Sequence, residues 1–482
     1  MSAIITDNMR LASARRFLRS VDDLTIYAFM GRPQAWTNDF LPPAPTGTVD
    51  ESRQLHQSIT SYKPVLPENV LPVTHRFNWT EGTTYQMYSP LLTPAAQEIP
   101  EGTYPYYVLT SNNDVYVCIY NGTSRTNTNG VPSVDEPTGA GTGIFTGPSD
   151  GYIWKFLYSV SSEMAADHLT NTYLPIPVVS SPLTSINGEV ICVYPTTTGT
   201  GMANNTTVIP YYYCNVVGDG VGAVCRFNVV NGFINNASMI RTGRDYTFAT
   251  VDCVDGRIYQ SLNDLDAVSG GLSIGGTKPT FTIILPPPGG YTFDFMNTLC
   301  GYYLSVNVKA RYGYQIPGGD VGFYTDMTFR QHGLIADMEL SDGSGIAAAV
   351  NLSGCYAVKL SSMGQAFVFG ETISQGNARG YVVHCDAVRN ILFYIQTAAS
   401  HRINNVMYRF DGTGRISGSS GGNGFPDTTY SGTVALAGVS FIDGYSGPQV
   451  KPGTGFVYYT SNDVPVQRST TQIETMKYVV KF

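Results

Sequence analysis

Five short patterns and a set of scattered histidines in this chain hold residue types that could do chemistry. Gly218-Asp-Gly-Val-Gly-Ala223 satisfies GxGxxA, a turn that aims backbone amides at a pyrophosphate when a strand precedes it and a helix follows. The following residues, Val224-Cys-Arg-Phe-Asn-Val-Val230, read as another strand, so the pattern reads as a hairpin turn. Gly418-Ser-Ser-Gly-Gly422 matches GxSxG, but a nucleophile elbow requires a strand-to-helix turn and this serine lies in a glycine-serine run. Asp135 and Glu136 could supply one half of a glycosidase's carboxylate pair; nothing in the spacing supplies the other half, and a solvated loop before Pro137 is the favoured reading. The histidines His56, His75, His168, His332, His384 and His401 are scattered, with no HExxH and no paired spacing, so zinc would require long-range convergence. Asn121-Gly-Thr123 and Asn205-Thr-Thr207 fit the glycosylation pattern, which has meaning only in a secreted chain. Catalytic, cofactor-binding and metal-binding residues are therefore expected to be absent, and the chain is read as no enzyme.

The elements that must position these residues are mostly strands. The chain has 482 residues, room for more than one core, with 51 glycines, 28 prolines, 33 tyrosines and 22 phenylalanines. Turn formers and aromatics suit pleated sheets and exclude a helical bundle or coiled coil. Charged residues make up only 13%, against a typical ~25%, as suits a surface largely covered by partners. Net charge is −8 and the pI about 5.3, so the chain as a whole offers nucleic acid no attractive field. The eight cysteines form no CxxC pair and most sit in apolar runs such as Val115-Tyr-Val-Cys118-Ile-Tyr120, which reads as reduced thiols. No apolar core of signal-peptide length and no run of ~18 apolar residues occurs, so membrane insertion is not expected and folding in a reducing cytoplasm is.

Helical spacing marks the opening: Asp7 as cap, Ala14, Phe17, Leu18 and Val21 on one face, and Arg15, Arg16 and Arg19 on the other. Those arginines could bind phosphate, but in an acidic chain they read as a salt-bridging face that meets a partner subunit. Asp22 and Asp23 begin the next turn and Leu24 to Phe29 a strand. Gly31 to Pro45 is an irregular stretch, because each proline removes a donor and restrains the residue before it. A second helix starts at Asp50 and a short one covers Ser162 to Leu169, with strands at 106–109, 114–120 and 152–158 between them. From Ile186 onward short strands and glycine turns alternate, and Phe367 to Ile373 and Gly380 to Cys385 read as strands of a later block in the same style. Gly412 to Gly424 reads as a flexible loop. The expected fold is mostly β, in layers of β-sandwich or barrel type, with a few short helices near the N-terminus. The expected divisions are an N-terminal α+β domain over 1–185, an inserted small β domain over 186–285 and a return to the core domain over 286–345. A second insert with the Gly/Ser loop then covers 346–445, and C-terminal strands over 446–482 complete the core.

Five segments in order resemble one known family. Gly31-Arg32-Pro33-Gln-Ala-Trp36 followed by Pro42-Pro43-Ala-Pro45 is similar to the start of the T4-type phage baseplate wedge subunit family, the gene product eight-like proteins. Asp150-Gly151-Tyr152-Ile-Trp154 resembles its aspartate-glycine-tyrosine-aromatic strand, and Phe329-Arg330-Gln331 its phenylalanine-arginine-glutamine segment. Phe456 to Pro465 resembles the penultimate strand and turn, and Gln472 to Phe482 the terminal strand. The resemblance covers about 10–180, 286–340 and 450–482, leaves the two intervening blocks as enlarged inserts, and departs from the family pattern at His332.

The resemblance implies a non-enzymatic virion protein of a contractile tail's baseplate, assembled in bacterial cytoplasm. It further implies a homodimer held among other wedge proteins and transmitting the rearrangement of the baseplate at infection. Cofactors, nucleic acid and membrane insertion have no part in this expectation. Gly31 to Pro45 is the expected docking arm, with Trp36 either gripping a neighbour or plugging its own core. The alternative class is a receptor-binding or fibre-associated virion protein with carbohydrate affinity through exposed tyrosines.

Overall fold

Alternating and continuous apolar runs become strands almost everywhere in this chain, seen in a computed structural model that describes residues 6–89, 105–123, 127, 129–139, 141, 143–178, 185–253, 257–311, 313, 320, 322–434 and 438–482. The fold is mostly β, with several sheets, a closed barrel and a few short helices. Each longer helix opens on a hydroxyl cap. Thr48 accepts from Glu51 N at 3.3 Å ahead of Val49–Ser58, and Ser161 from Met164 N at 3.2 Å ahead of Ser162–His168. The first helix spans Asp7–Asp22, so Asp7 is its first residue and not its cap; the Thr6 hydroxyl accepts from Met9 N at 3.4 Å instead. Single-turn helices also occur later, at Leu262–Asp266 and Phe295–Thr298.

Contacts divide the chain into two units. One comprises Met1–Ala14, Leu71–Ser305 and Val479–Phe482. Its first sheet orders Tyr107–Leu109, Asp114–Tyr120, Ile153–Ser159 and Ile144–Thr146, all antiparallel. Trp154 is fully buried beneath it, stacked on Tyr152 at 5.5 Å and met edge-on by Tyr85 at 5.4 Å. A second sheet orders Phe233–Arg244, Val221–Val230, Tyr212–Gly218 and Ala249–Asp252. With the two-stranded ribbon of Cys192–Thr197 and Thr280–Ile284 it encloses a separate core around Phe227, Val229 and Tyr246.

The other unit comprises Arg15–Val70 and Val306–Tyr478. Its five-stranded antiparallel sheet runs Leu352–Ser353, Ile59–Pro64, Ile26–Gly31, Met327–Ala336, Phe456–Arg468. Ile26–Gly31 is buried at every residue, which explains why its sequence is apolar without alternation. Beside this sheet in sequence lies a seven-stranded antiparallel sheet, of which six strands close into a barrel and Tyr445–Ser446 pairs with Tyr356–Gln365 as the seventh. Tyr356–Gln365 is long enough to pair with Ile391–Ile395 on one side and Asn423–Pro426 on the other; Ala378–Asp386, Thr372–Gln375 and Ile416–Gly418 complete the ring. Closure removes free edges around a core of Val358, Leu360, Ile373, Val382 and Leu392.

Two expectations fail in the barrel. The segment from Phe367 to Glu371 is a turn, not a strand; only Thr372–Gln375 pairs. Gly412 to Gly424 is no flexible loop, because Ile416–Gly418 and Asn423–Pro426 form a hairpin of the barrel wall. Both departures have one cause, the buried carboxylate of Glu371. It accepts from Val368 N at 2.8 Å and from Ser420 N at 2.9 Å, tying turn to hairpin. A Cβ on Gly418 or Gly422 would overlap this carboxylate, so the glycines there serve close approach.

Candidate functional site

The proline-rich segment after Ile26–Gly31 is an arm fastened to its own unit at several points. Gly31 starts it at a register shift against Ile59–Pro64, where a Cβ would stand 2.9 Å from the Ser58 carbonyl oxygen and from Ile59 Cα. Arg32 then adopts a left-handed φ of 51° and donates its N–H to that same Ser58 oxygen at 2.9 Å. This turns the chain away from the sheet. The principal fastener is Arg330, on Met327–Ala336 and 9% exposed. Its Nε and Nη2 reach the two carboxylate oxygens of Asp39 at 2.8 and 2.7 Å, and Nη1 reaches the Pro33 carbonyl at 2.7 Å. A planar guanidinium matched to both oxygens fixes the arm's direction as well as its position. The Arg330 hydrogen bonds hold the Asp39 carboxyl below the usual carboxylate range.

Trp36 completes the anchor. Its ring lies 3.6 Å beneath the Arg32 guanidinium, its indole N–H donates to the Asp463 carbonyl at 3.1 Å, and its backbone N–H donates to Asp39 at 2.8 Å. Burial first, and then the neighbouring Arg330, pull the Arg32 pKa below its ordinary value. Farther along, Pro43 accepts from Asn462, itself bonded to Gln331, at 2.9 and 2.7 Å. Glu51 closes the far end by accepting from Thr46 N and Gly47 N at 2.7 and 2.8 Å. Between the anchors, Phe40 is 94% and Leu41 76% exposed. The arm is thus fixed at both ends and carries two large apolar side chains at a protruding tip.

The structure brings Gly31, Arg32, Pro33, Trp36, Pro42, Pro43, Arg330 and Gln331 into this one region, while Phe329 is buried in the strand beneath. Asp150, Gly151, Tyr152 and Trp154 lie in the other unit and serve its interior. Asp150 accepts from Val134 N and Tyr152 N at 2.8 and 2.9 Å, Gly151 turns with a φ of 73°, and the Tyr152 hydroxyl donates to the Val131 carbonyl at 2.6 Å. Phe482 ends the chain with its N–H on the Tyr302 carbonyl at 3.3 Å. Asp39, Asn462, Asp463 and the Phe40-Leu41 tip were not singled out in sequence. An isolated acid three residues after Trp36 was the signal for Asp39.

The residues weighed for chemistry are engaged in structural bonds. Asp135 accepts from Ser149 N and Asp150 N at 2.6 and 3.3 Å, and Glu136 from Ser111 N and Oγ at 2.7 and 3.0 Å, so these acids staple loops and are not merely solvated. The GxGxxA pattern is the hairpin between Tyr212–Gly218 and Val221–Val230. There Asp219 accepts from Thr247 N at 2.8 Å and from its hydroxyl, which pulls its carboxyl down to about 2. Ser420 of the GxSxG match sits on the barrel hairpin already described. His332 lies between Tyr478 Oη at 3.0 Å and Asp463 Oδ2 at 2.5 Å. Among the described residues no three His, Cys, Asp or Glu side chains converge to hold a metal, and no helix is long and apolar enough to cross a membrane.

The chain matches no known family profile. Over 204 residues it is 24% identical to baseplate wedge protein gp8 of Enterobacteria phage T4, a match covering 36% of this chain and 60% of that protein. It therefore spans less than two thirds of that relative's length. The similarity is that of a distant relative of a phage baseplate wedge protein.

Proposed function

We propose that this chain is a structural, non-enzymatic subunit of the baseplate wedge of a contractile-tailed phage, working as a homodimer among other wedge proteins. The observation that carries the reading is the ordered similarity to a baseplate wedge protein. The arm supports it: pinned by Arg330, Asp39 and Trp36, it presents Phe40 and Leu41 at little ordering cost, as a docking element for a neighbouring protein should. A rigid β core joined to neighbours through such contacts can change register during infection without unfolding.

Asp135 and Glu136, the two acids weighed for glycosidase chemistry, accept from the Ser149 and Ser111 backbone amides as loop staples, which fits a structural role for them. An amber mutation in the gene, in the phage that encodes this chain, tests the proposal. Heads are expected to assemble normally while baseplates fail to form. Complete baseplates in the mutant lysate would refute the assignment.

A further inference from the structure

Three cysteines stand side by side across one sheet of the block between residues 185 and 285. Cys214, on Tyr212–Gly218, is the direct cross-strand partner of Cys225 on Val221–Val230. On its other side Asn215 pairs with Asp252, which brings Cys253, the first residue beyond Ala249–Asp252, abreast of Cys214. All three thiols lie in the same apolar core.

Their sulfurs are directed differently. Cys225 Sγ points at the Cys214 carbonyl oxygen, 3.5 Å away, whereas Cys214 Sγ and Cys253 Sγ approach to 3.1 Å. A covalent S–S bond is about 2.05 Å long, and opposed residues of antiparallel strands have Cα atoms about 4.5–5.5 Å apart, within the range that a disulfide spans. Closing the remaining gap of about 1 Å calls for side-chain rotation and no change of register.

We propose that Cys214 and Cys253 form an oxidation site, converted by a peroxide into an intramolecular disulfide that staples the Tyr212–Gly218 strand to its outer neighbour. Cys253 reacts first: it is 5% exposed against 0% for Cys214, and it follows the last strand in the sheet's order, where local opening admits a small oxidant. Its sulfur attacks one peroxide oxygen, the O–O bond breaks, and the products are Cys253 sulfenic acid and one water. The Cys214 sulfur then displaces the sulfenic hydroxyl, which leaves as a second water carrying the Cys214 proton, as the S–S bond forms. Two thiols are oxidised and one peroxide is reduced to two waters. Cys225 stays out of the exchange because its sulfur is directed at the Cys214 carbonyl oxygen and not at a neighbouring sulfur, and burial, then the nearby Cys253, push its thiol pKa up as well. A chain that folds with reduced thiols thereby gains a crosslink across 39 residues once it meets an oxidising medium.

The test uses the full chain, hydrogen peroxide, alkylation after denaturation, and peptide mapping without reductant. The expected result is loss of two of the eight thiols, a mass lower by about 2 Da, and one crosslinked peptide pair holding Cys214 and Cys253. The melting temperature of the oxidised protein should rise. Cys225→Ser should behave as the parent does, and Cys253→Ser should lose both the crosslink and the rise. Should Cys253→Ser fail to fold, the peptide map of the parent decides alone. Retention of all eight thiols under peroxide that oxidises the exposed Met9, a Cys214–Cys225 bridge, or oxidation to sulfinic acid without a crosslink would overturn the proposal.

Discussion

Arg330 and Trp36 show how single side chains turn a proline-rich segment into a defined projection. Truncating Trp36 removes the ring that Arg32 covers and the N–H bond to the Asp463 carbonyl, so Trp36→Ala should destabilise the folded chain by about 2 kcal/mol, less than a fully buried Trp because the ring is half-buried. Urea denaturation of parent and variant measures this, and an unchanged midpoint would mean that the ring supports nothing in its own unit. Asp39 gives a pH dependence with a definite sign. Its carboxyl titrates lower in the folded chain than in the unfolded one, so its contribution is complete above about pH 4 and is lost as pH falls through the folded value. The midpoint of the parent should therefore drop as pH falls below about 4 more steeply than that of Asp39→Asn. Parallel curves would show that the Arg330 contact does not hold the carboxylate. Arg330 could be singled out in the sequence through the segment it belongs to, but its partner could not. The pair spans 291 residues, and no local spacing encodes a contact of that separation.

At the scale of elements, strands built from a continuous apolar run were legible, while the partly exposed Phe233–Arg244 was not. Asp114–Tyr120 falls where its apolar run places it, and the helix over Ser162–His168 where its pattern does, whereas the first helix is capped by Thr6 and not by the expected Asp7. The barrel hairpin was illegible for a physical reason. Its glycines and serines have the composition of a loop, and what orders them is distant in sequence: the ladders to Thr372–Gln375 and Tyr356–Gln365, and the Glu371 carboxylate that reaches Ser420 from 49 residues away. Adding a methyl group there should expose this dependence: Gly422→Ala places a Cβ against the Glu371 carboxylate and should cost about 1–3 kcal/mol, read as a lower thermal midpoint. A midpoint equal to the parent's would show that the hairpin does not rely on that approach. The arm makes the opposite prediction. Phe40→Ser with Leu41→Ser alters side chains that are 94% and 76% exposed, so stability should hold within about 0.5 kcal/mol while incorporation into wedges is lost. Loss of stability without loss of incorporation would assign the tip to the unit's own fold.

For the whole molecule, two folded units, with a closed barrel in one and a four-stranded sheet over residues 212–252 in the other, give a scaffold whose strands are largely committed to internal pairing. Overall β character could be read from aromatics, turn residues and sparse charge, because these report burial on pleated surfaces in any order of strands. Layers of sandwich or barrel type were expected and a closed barrel is present, but which strands close it could not be read, since closure depends on one long strand meeting partners from both directions. The proposed homodimer should scatter light as twice 52.2 kDa, and a trimer would favour the fibre-associated class. The central claim, that this chain works through surfaces covered by other baseplate proteins, is tested most directly by a cryo-electron microscopy reconstruction of the intact tail. The account predicts this chain within the baseplate wedge with Phe40 and Leu41 buried against a different protein. Density for the chain at a fibre tip in three copies, or no such chain in the baseplate, would contradict it.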